Sequence, residues 1–242
     1  TLYYEVESFN SQGVDEREGV QLFLDAKKTG KATSYYRWEW QETWKFRVPH
    51  VKEGYEAYTT CWSRARSTGI NIADTRRLSE NYVYRHKLNY IPTTSNRLSE
   101  KYSILVSQHT LSKNAYDYWR QLEQTHEHSG SLFDPPPIAP VGNVEAINSQ
   151  EAVLGYFQVS GVQQKRIFIA REELPPGMRI ASGFKHCESR TVEGLAEALI
   201  KEGWILLIRF TSMGKLYTSL SNLPECYDCR AYGTITKPDY WE

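Results

Sequence analysis

Methionine is scarce, with only two in 242 residues. No apolar run approaches the roughly eighteen residues that a membrane-spanning helix needs. The longest candidate, 204–210, is the length of a buried strand. Excess charge of either sign is missing too. Twenty-nine basic and 29 acidic residues cancel, which argues against a nucleic-acid footprint, a polyanionic partner or a charged tail. The motifs that carry their own chemistry are also lacking: no Gly-x-Ser-x-Gly elbow, no His-Glu-x-x-His helix, no phosphate-cradling glycine loop, no EF-hand. His126 and His128 stand two apart and do not share a helical face as an i, i+4 metal pair would. The expectation is no cofactor, no metal and no nominated catalytic residue. Carboxylates such as Asp134, Asp228 and Asp239 sit in turn contexts, where Asp bonds local backbone amides.

Aromatic side chains are what the chain has in quantity. Seventeen Tyr, seven Trp and eight Phe bring the aromatic share to 13%, a bias towards strands and, through Tyr and Trp, towards surfaces that combine apolar area with a polar tip. Between 35 and 48 the aromatics follow a two-residue period. Tyr36, Trp38, Trp40, Trp44, Phe46 and Val48 alternate with Arg37, Glu39, Lys45 and Arg47, which places rings on one sheet face and charge on the other. Packed against an opposing layer, Trp38, Trp40 and Trp44 are core; exposed, they mark a ligand or protein interface.

Cysteine is sparse, and its spacing is informative. Cys226 and Cys229 form a close pair near the end of the chain, whereas Cys61 and Cys187 lie far upstream. Four cysteines allow two disulfides in three pairings, one four-thiolate metal site, or a redox pair with two bystanders. Structural zinc usually draws on two close pairs, and here there is one. A redox pair normally opens a helix, whereas Pro224 precedes this one and a loop-like stretch follows. Two disulfides are therefore favoured. They imply an oxidising compartment and a C-terminal segment, 225–241, stapled to the core. Arg230 and Tyr232, beside the pair, are a second interface candidate.

Strand signals dominate the rest, at 1–7, 20–25, 35–48, 56–62, 70–74, 83–91, 102–110, 153–159, 166–171 and 204–210. Two helices are expected: 113–128 capped by Ser112, and 192–201 started by Thr191 and ended by Gly203. The proline-rich stretch 129–143 reads as an ordered surface crossover. The expected fold is α+β, mainly β: antiparallel sheets, as a sandwich or open barrel, with two main helices packed on them. It forms one domain over 1–242, with a sub-boundary near 130–150. Because Thr1 opens directly on an alternating segment, the chain reads as a processed form or the C-terminal part of something longer.

Several motifs occur in a specific order. Cys61 and Trp62, the segment Val83 to Arg85, and Lys101 to Val106 are followed by Tyr118 and Trp119, Ser129 to Pro137, and Gly142 with Asn143. Val153 to Phe157, Lys165 to Ile169, Cys226 to Arg230 and Lys237 to Trp241 complete the series. In this order the chain resembles the C-terminal two thirds of the Bacteroidota surface lipoproteins grouped as domain-of-unknown-function family 4249. The resemblance implies an exported lipoprotein of the cell outer membrane, surface-exposed or facing the periplasm, anchored by a lipid outside this chain. It also implies a neighbouring TonB-dependent transporter as partner. The expected function is a non-catalytic module that helps the transporter capture or admit an oligosaccharide, peptide or siderophore, with no nucleic-acid partner. The alternative is a hydrolase acting on glycan or peptide, which requires a deep cleft with two or three titratable groups.

Overall fold

The computed structural model describes residues 1–10, 16–29, 32–52, 54–127, 140–147, 153–184, 187, 190–191, 205–210, 216–221 and 223–241. The chain is mainly β with antiparallel sheets. In chain order its strands begin with β1 (Leu2–Asn10), β2 (Glu16–Lys27), β3 (Tyr35–Arg47), β4 (Thr60–Arg66), β5 (Asn71–Asp74) and β6 (Tyr82–Pro92). Then come β7 (Lys101–Leu111), helix α1 (Lys113–Glu127), β8 (Gly161–Ala170), β9 (Arg190–Thr191), β10 (Ile205–Phe210) and β11 (Leu216–Ser221).

Side-chain alternation decides how the first two sheets meet. One sheet has the order β1-β2-β6, and a five-stranded sheet has the order β4-β3-β7-β8 with β5 also paired to β3. Val20, Leu22, Leu24 and Ala26 on β2 turn to the same side, as do Tyr36 and Trp38 on β3, and all are buried in one cluster with Ile91, Tyr102, Ile104 and Ile169. Two sheets that share a core in this way pack face to face. Each fully buried aliphatic chain contributes roughly 1.5–3 kcal/mol, so this shared layer is the main source of stability. A third sheet runs β10-β11-β9.

The first sheet is kinked where β2 meets β6, with register shifts between Leu22 and Phe23 and between Leu24 and Ala26. Arg85 lies in the second bulge at φ 49°, a left-handed conformation that is uncommon for a residue other than glycine. Its backbone N–H donates to Asp25 Oδ1 at 2.8 Å and its guanidinium pairs with Glu5, contacts that hold the bulge.

Helix α1 starts as its sequence signals: the Ser112 hydroxyl accepts from the Ala115 N–H at 3.2 Å. Ala115 and Tyr116 are buried against Leu111, with Trp119 packed beside them. It is the one α-helix among the described residues. The second expected helix, 192–201, lies outside them, as does most of the proline-rich crossover.

Two expected strands differ. At 56–62 the chain first makes a short 3-10 turn over Glu56–Tyr58, and the strand starts at Thr60. At 153–159 no ladder forms, and pairing begins only at Gly161. Here a side chain replaces the missing strand partner. Asn143 donates Nδ2 to the Phe157 carbonyl and accepts from the Phe157 N–H, both at 2.8 Å. Gly142 permits the approach, since a Cβ there would stand 1.9 Å from the Gly155 carbonyl oxygen.

Candidate ligand-binding face

The C-terminal segment is covalently fixed. Cys61 joins Cys229 and Cys187 joins Cys226, so the close pair is shared between two distant partners and the thiolate-cage and redox readings are set aside. No free cysteine remains. All four sulfur residues are buried with Phe46, Val48 and Phe184. Strand β4 is the sheet edge, and the segment covers it by pairing Trp62 with Thr234 through two backbone bonds of 2.8 and 2.9 Å. The bridge takes up the outward-facing backbone groups of Trp62, in the middle of that edge. Beyond this bridge the chain crosses the outer face of the five-stranded sheet. Tyr240 meets the Thr43 hydroxyl at 2.8 Å, and Trp241 packs edge-on against Phe168 and Trp62.

This wrapping leaves one recess on each side of the β3–β4 pair. The inner groove, about 200 Å³, is lined by Trp44, Phe46, Ser63, Asn96, Phe184 and Tyr232. Its rear wall continues into a charged cluster. Glu42, buried on the core face of β3, accepts from Tyr102 at 2.7 Å, from Asn89 at 2.8 Å and from Arg97 on both oxygens. Arg97 lies 5.0 Å over the Trp44 ring. Burial, then the charge of Glu42, pushes the Tyr102 hydroxyl well above the ordinary tyrosine range. Tyr102 therefore stays a protonated donor.

The outer cleft, about 600 Å³, is lined by Lys45, Lys101, Arg171 and Lys237, by Glu100 and Glu172, and by Trp62 and Trp241. Its size falls within the roughly 300–1,000 Å³ of small-molecule sites. Each recess includes a tryptophan, Trp44 or Trp62, whose buried indole Nε1 has no hydrogen-bond partner among the described residues. Such an unsatisfied donor costs roughly 1–3 kcal/mol.

Several carboxylates are displaced in one direction. Hydrogen bonding from Arg76 holds Asp74 at about 2, hydrogen bonding from Arg230 lowers Asp228, and hydrogen bonding from Arg85 lowers Glu5. Each is kept ionised by a neighbouring guanidinium. Among the described residues no group of three His, Cys, Asp or Glu side chains is arranged to hold a metal ion, and no helix is long and apolar enough to cross a membrane.

The family described as domain of unknown function (DUF4249) matches residues 1–166. The chain belongs to this family. No curated protein and no solved structure matches it. In this DUF4249 member the matched residues run from β1 into β8. The cysteines at 187, 226 and 229 and the aromatic ending lie beyond them.

The aromatic row of this DUF4249 chain is divided along its length. Trp38 is core at 1% exposure, its Nε1 donating to Gln108 at 3.0 Å, whereas Trp40 and Trp44 are half-buried at the margin of the core. Of the singled-out residues, Trp44 and Tyr232 meet in the inner groove. Arg230 does not join them: it pairs with Asp228 at 2.6 Å and stacks 3.6 Å over Tyr58. The reading of Asp228 as a backbone-bonding turn residue matches the structure, since its carboxylate accepts from the Arg230 N–H at 3.0 Å. Sequence reasoning passed over Glu42, although it falls on the phase of the aromatic row. It also passed over Lys237, which has no sequence signal because its role depends on where the wrapped segment lies.

Proposed function

We propose that the chain is a non-catalytic ligand-capture module of a cell-surface lipoprotein, working beside a TonB-dependent transporter of the outer membrane. The observation that carries this reading is the pair of preformed recesses created when two disulfides fasten the C-terminal segment around β4. Rigid recesses lose little entropy on binding, which favours affinity. Their aromatic walls, Trp44, Phe46, Phe184 and Tyr232 in the one and Trp62 and Trp241 in the other, suit an amphipathic ligand. The second helix read over 192–201 belongs to the same proposal.

Glycan hydrolysis asks for a carboxylic acid whose pKa is raised so that it can donate a proton. Glu5, Asp74 and Asp228 are held low by neighbouring guanidiniums, so none of these three is such an acid.

The test is affinity purification of the tagged, full-length lipoprotein from detergent-extracted outer membranes. A TonB-dependent transporter is expected in stoichiometric yield. Recovery of the lipoprotein alone, under conditions that keep other membrane complexes intact, would overturn the partnership. Turnover of a glycan or peptide by the purified chain would overturn the non-catalytic reading.

A further inference from the structure

The geometry points to the outer face of the five-stranded sheet, with its cleft, as a binding site for a carboxylate-bearing oligosaccharide. This rests on the capture reading and names its ligand class. Directly opposed residues in an antiparallel ladder share a face. The register therefore sets Lys45 beside Trp62 and Lys101, Thr43 beside Arg64 and Ser103, and Gln41 beside Arg66 and Leu105, with Leu105 in turn opposite Arg166. With Arg47 opposite Thr60 on the same side, this half of the face carries six cations from its four strands and no carboxylate from them.

The chain as a whole is neutral, so folding has segregated its charge. Two carboxylates, Glu100 and Glu172, line the cleft beside four cations, Lys45, Lys101, Arg171 and Lys237, and Glu100 is met by Lys45 at 2.8 Å and Arg47 at 3.7 Å. Arg64, Arg66 and Lys237 are exposed, and no ion pair engages them among the described residues. Aromatic surface is interleaved with these charges: Trp62 lines the cleft, and Tyr240 lies under the Arg166 guanidinium at 3.6 Å.

That combination fits an acidic sugar chain. Carboxylates take charge-assisted bonds from Lys and Arg, and the apolar face of a pyranose ring packs on an indole or phenol whose polar tip meets its hydroxyls. Two disulfides are the pattern of proteins from oxidising compartments outside the cytosol, which favours a glycan over a nucleic acid as the polyanion.

Calorimetric titration of the 242-residue chain with trigalacturonate, maltotriose, inorganic phosphate and a short oligothymidylate decides the matter. Trigalacturonate is expected to bind, and to weaken as salt is raised. Maltotriose and phosphate are expected to bind at least tenfold more weakly, roughly the difference made by one charge-assisted bond. Lys237→Glu and Arg64→Glu, both at exposed positions, are each expected to cost about tenfold in affinity on the same grounds, with unfolding midpoints unchanged. Equal binding of maltotriose, tighter binding of oligothymidylate or phosphate, or indifference to both charge reversals would overturn the site. If trigalacturonate fails while the transporter still co-purifies, the ligand class falls and the capture reading stands. If trigalacturonate binds but no transporter co-purifies, the reverse holds.

Discussion

Tyr102 donates its hydroxyl to Glu42 Oε1 at 2.7 Å inside the layer between the two main sheets. With Asn89 on the same oxygen and Arg97 spanning both, the carboxylate is fully engaged. A buried charge held this way leaves its partners stranded when it is removed. Glu42→Ala is expected to destabilise the fold by about 3 kcal/mol, reduced from a fully buried pair because Arg97 is partly exposed. Tyr102→Phe should cost about 1–2 kcal/mol. Urea unfolding midpoints measure both; changes within roughly 0.5 kcal/mol of zero would mark the cluster as dispensable.

The two disulfides close loops of different span, 168 residues for Cys61–Cys229 and 39 for Cys187–Cys226. Restricting the unfolded chain is worth about 5 kcal/mol for the longer loop and about 4 kcal/mol for the shorter, taken singly. Replacing Cys61 and Cys229 together by Ser is therefore expected to lower the melting temperature more than replacing Cys187 and Cys226. Calorimetric melting of the two double variants would show the order, and the reverse order would deny loop entropy the leading role.

The cluster of Asp74, Arg76 and Tyr116 has a pH signature. Hydrogen bonding from Arg76 holds the Asp74 carboxyl at about 2 against an ordinary 3.8. A carboxyl depressed on folding stabilises fully above its unfolded value, and that stability is lost as pH falls from about 4 through about 2. Burial, then hydrogen bonding to Asp74, pushes Tyr116 up to about 12 from 10.0. Its contribution is complete below 10 and fades as pH rises through about 12. Asp74→Asn should flatten the acid limb of the stability profile between pH 4 and 2. An unchanged limb would place the acid sensitivity elsewhere.

Gly183 borders the inner groove at φ +80°, and a Cβ there would stand 2.9 Å from the Asn96 Cβ. Alanine would incur both left-handed strain and a clash, together about 1–3 kcal/mol. Gly183→Ala is expected to lower stability by that amount, and chemical-shift changes should centre on Asn96 and Trp44. A neutral variant would show that the 180–184 stretch readily moves aside.

The sequence by itself determined the period-2 aromatic row, the dominance of strands, the Ser112 cap and the preference for disulfides. All are local or compositional: alternation, capping and cysteine spacing act through nearest neighbours or through simple counting. It did not determine which cysteines pair, since that depends on the segment crossing the edge of β4. Nor could it say that Glu42 lies inside, because a carboxylate in an aromatic row is excluded until Arg97, Asn89 and Tyr102 arrive from other strands and turns. The sharpest divergence concerns charge. Twenty-nine cations and 29 anions sum to zero along the chain, and that sum argued against an anionic partner. Only the ladder register gathered Lys45, Arg64, Arg66, Lys101 and Arg166 onto one face, because electrostatic potential depends on where charges stand and not on their total.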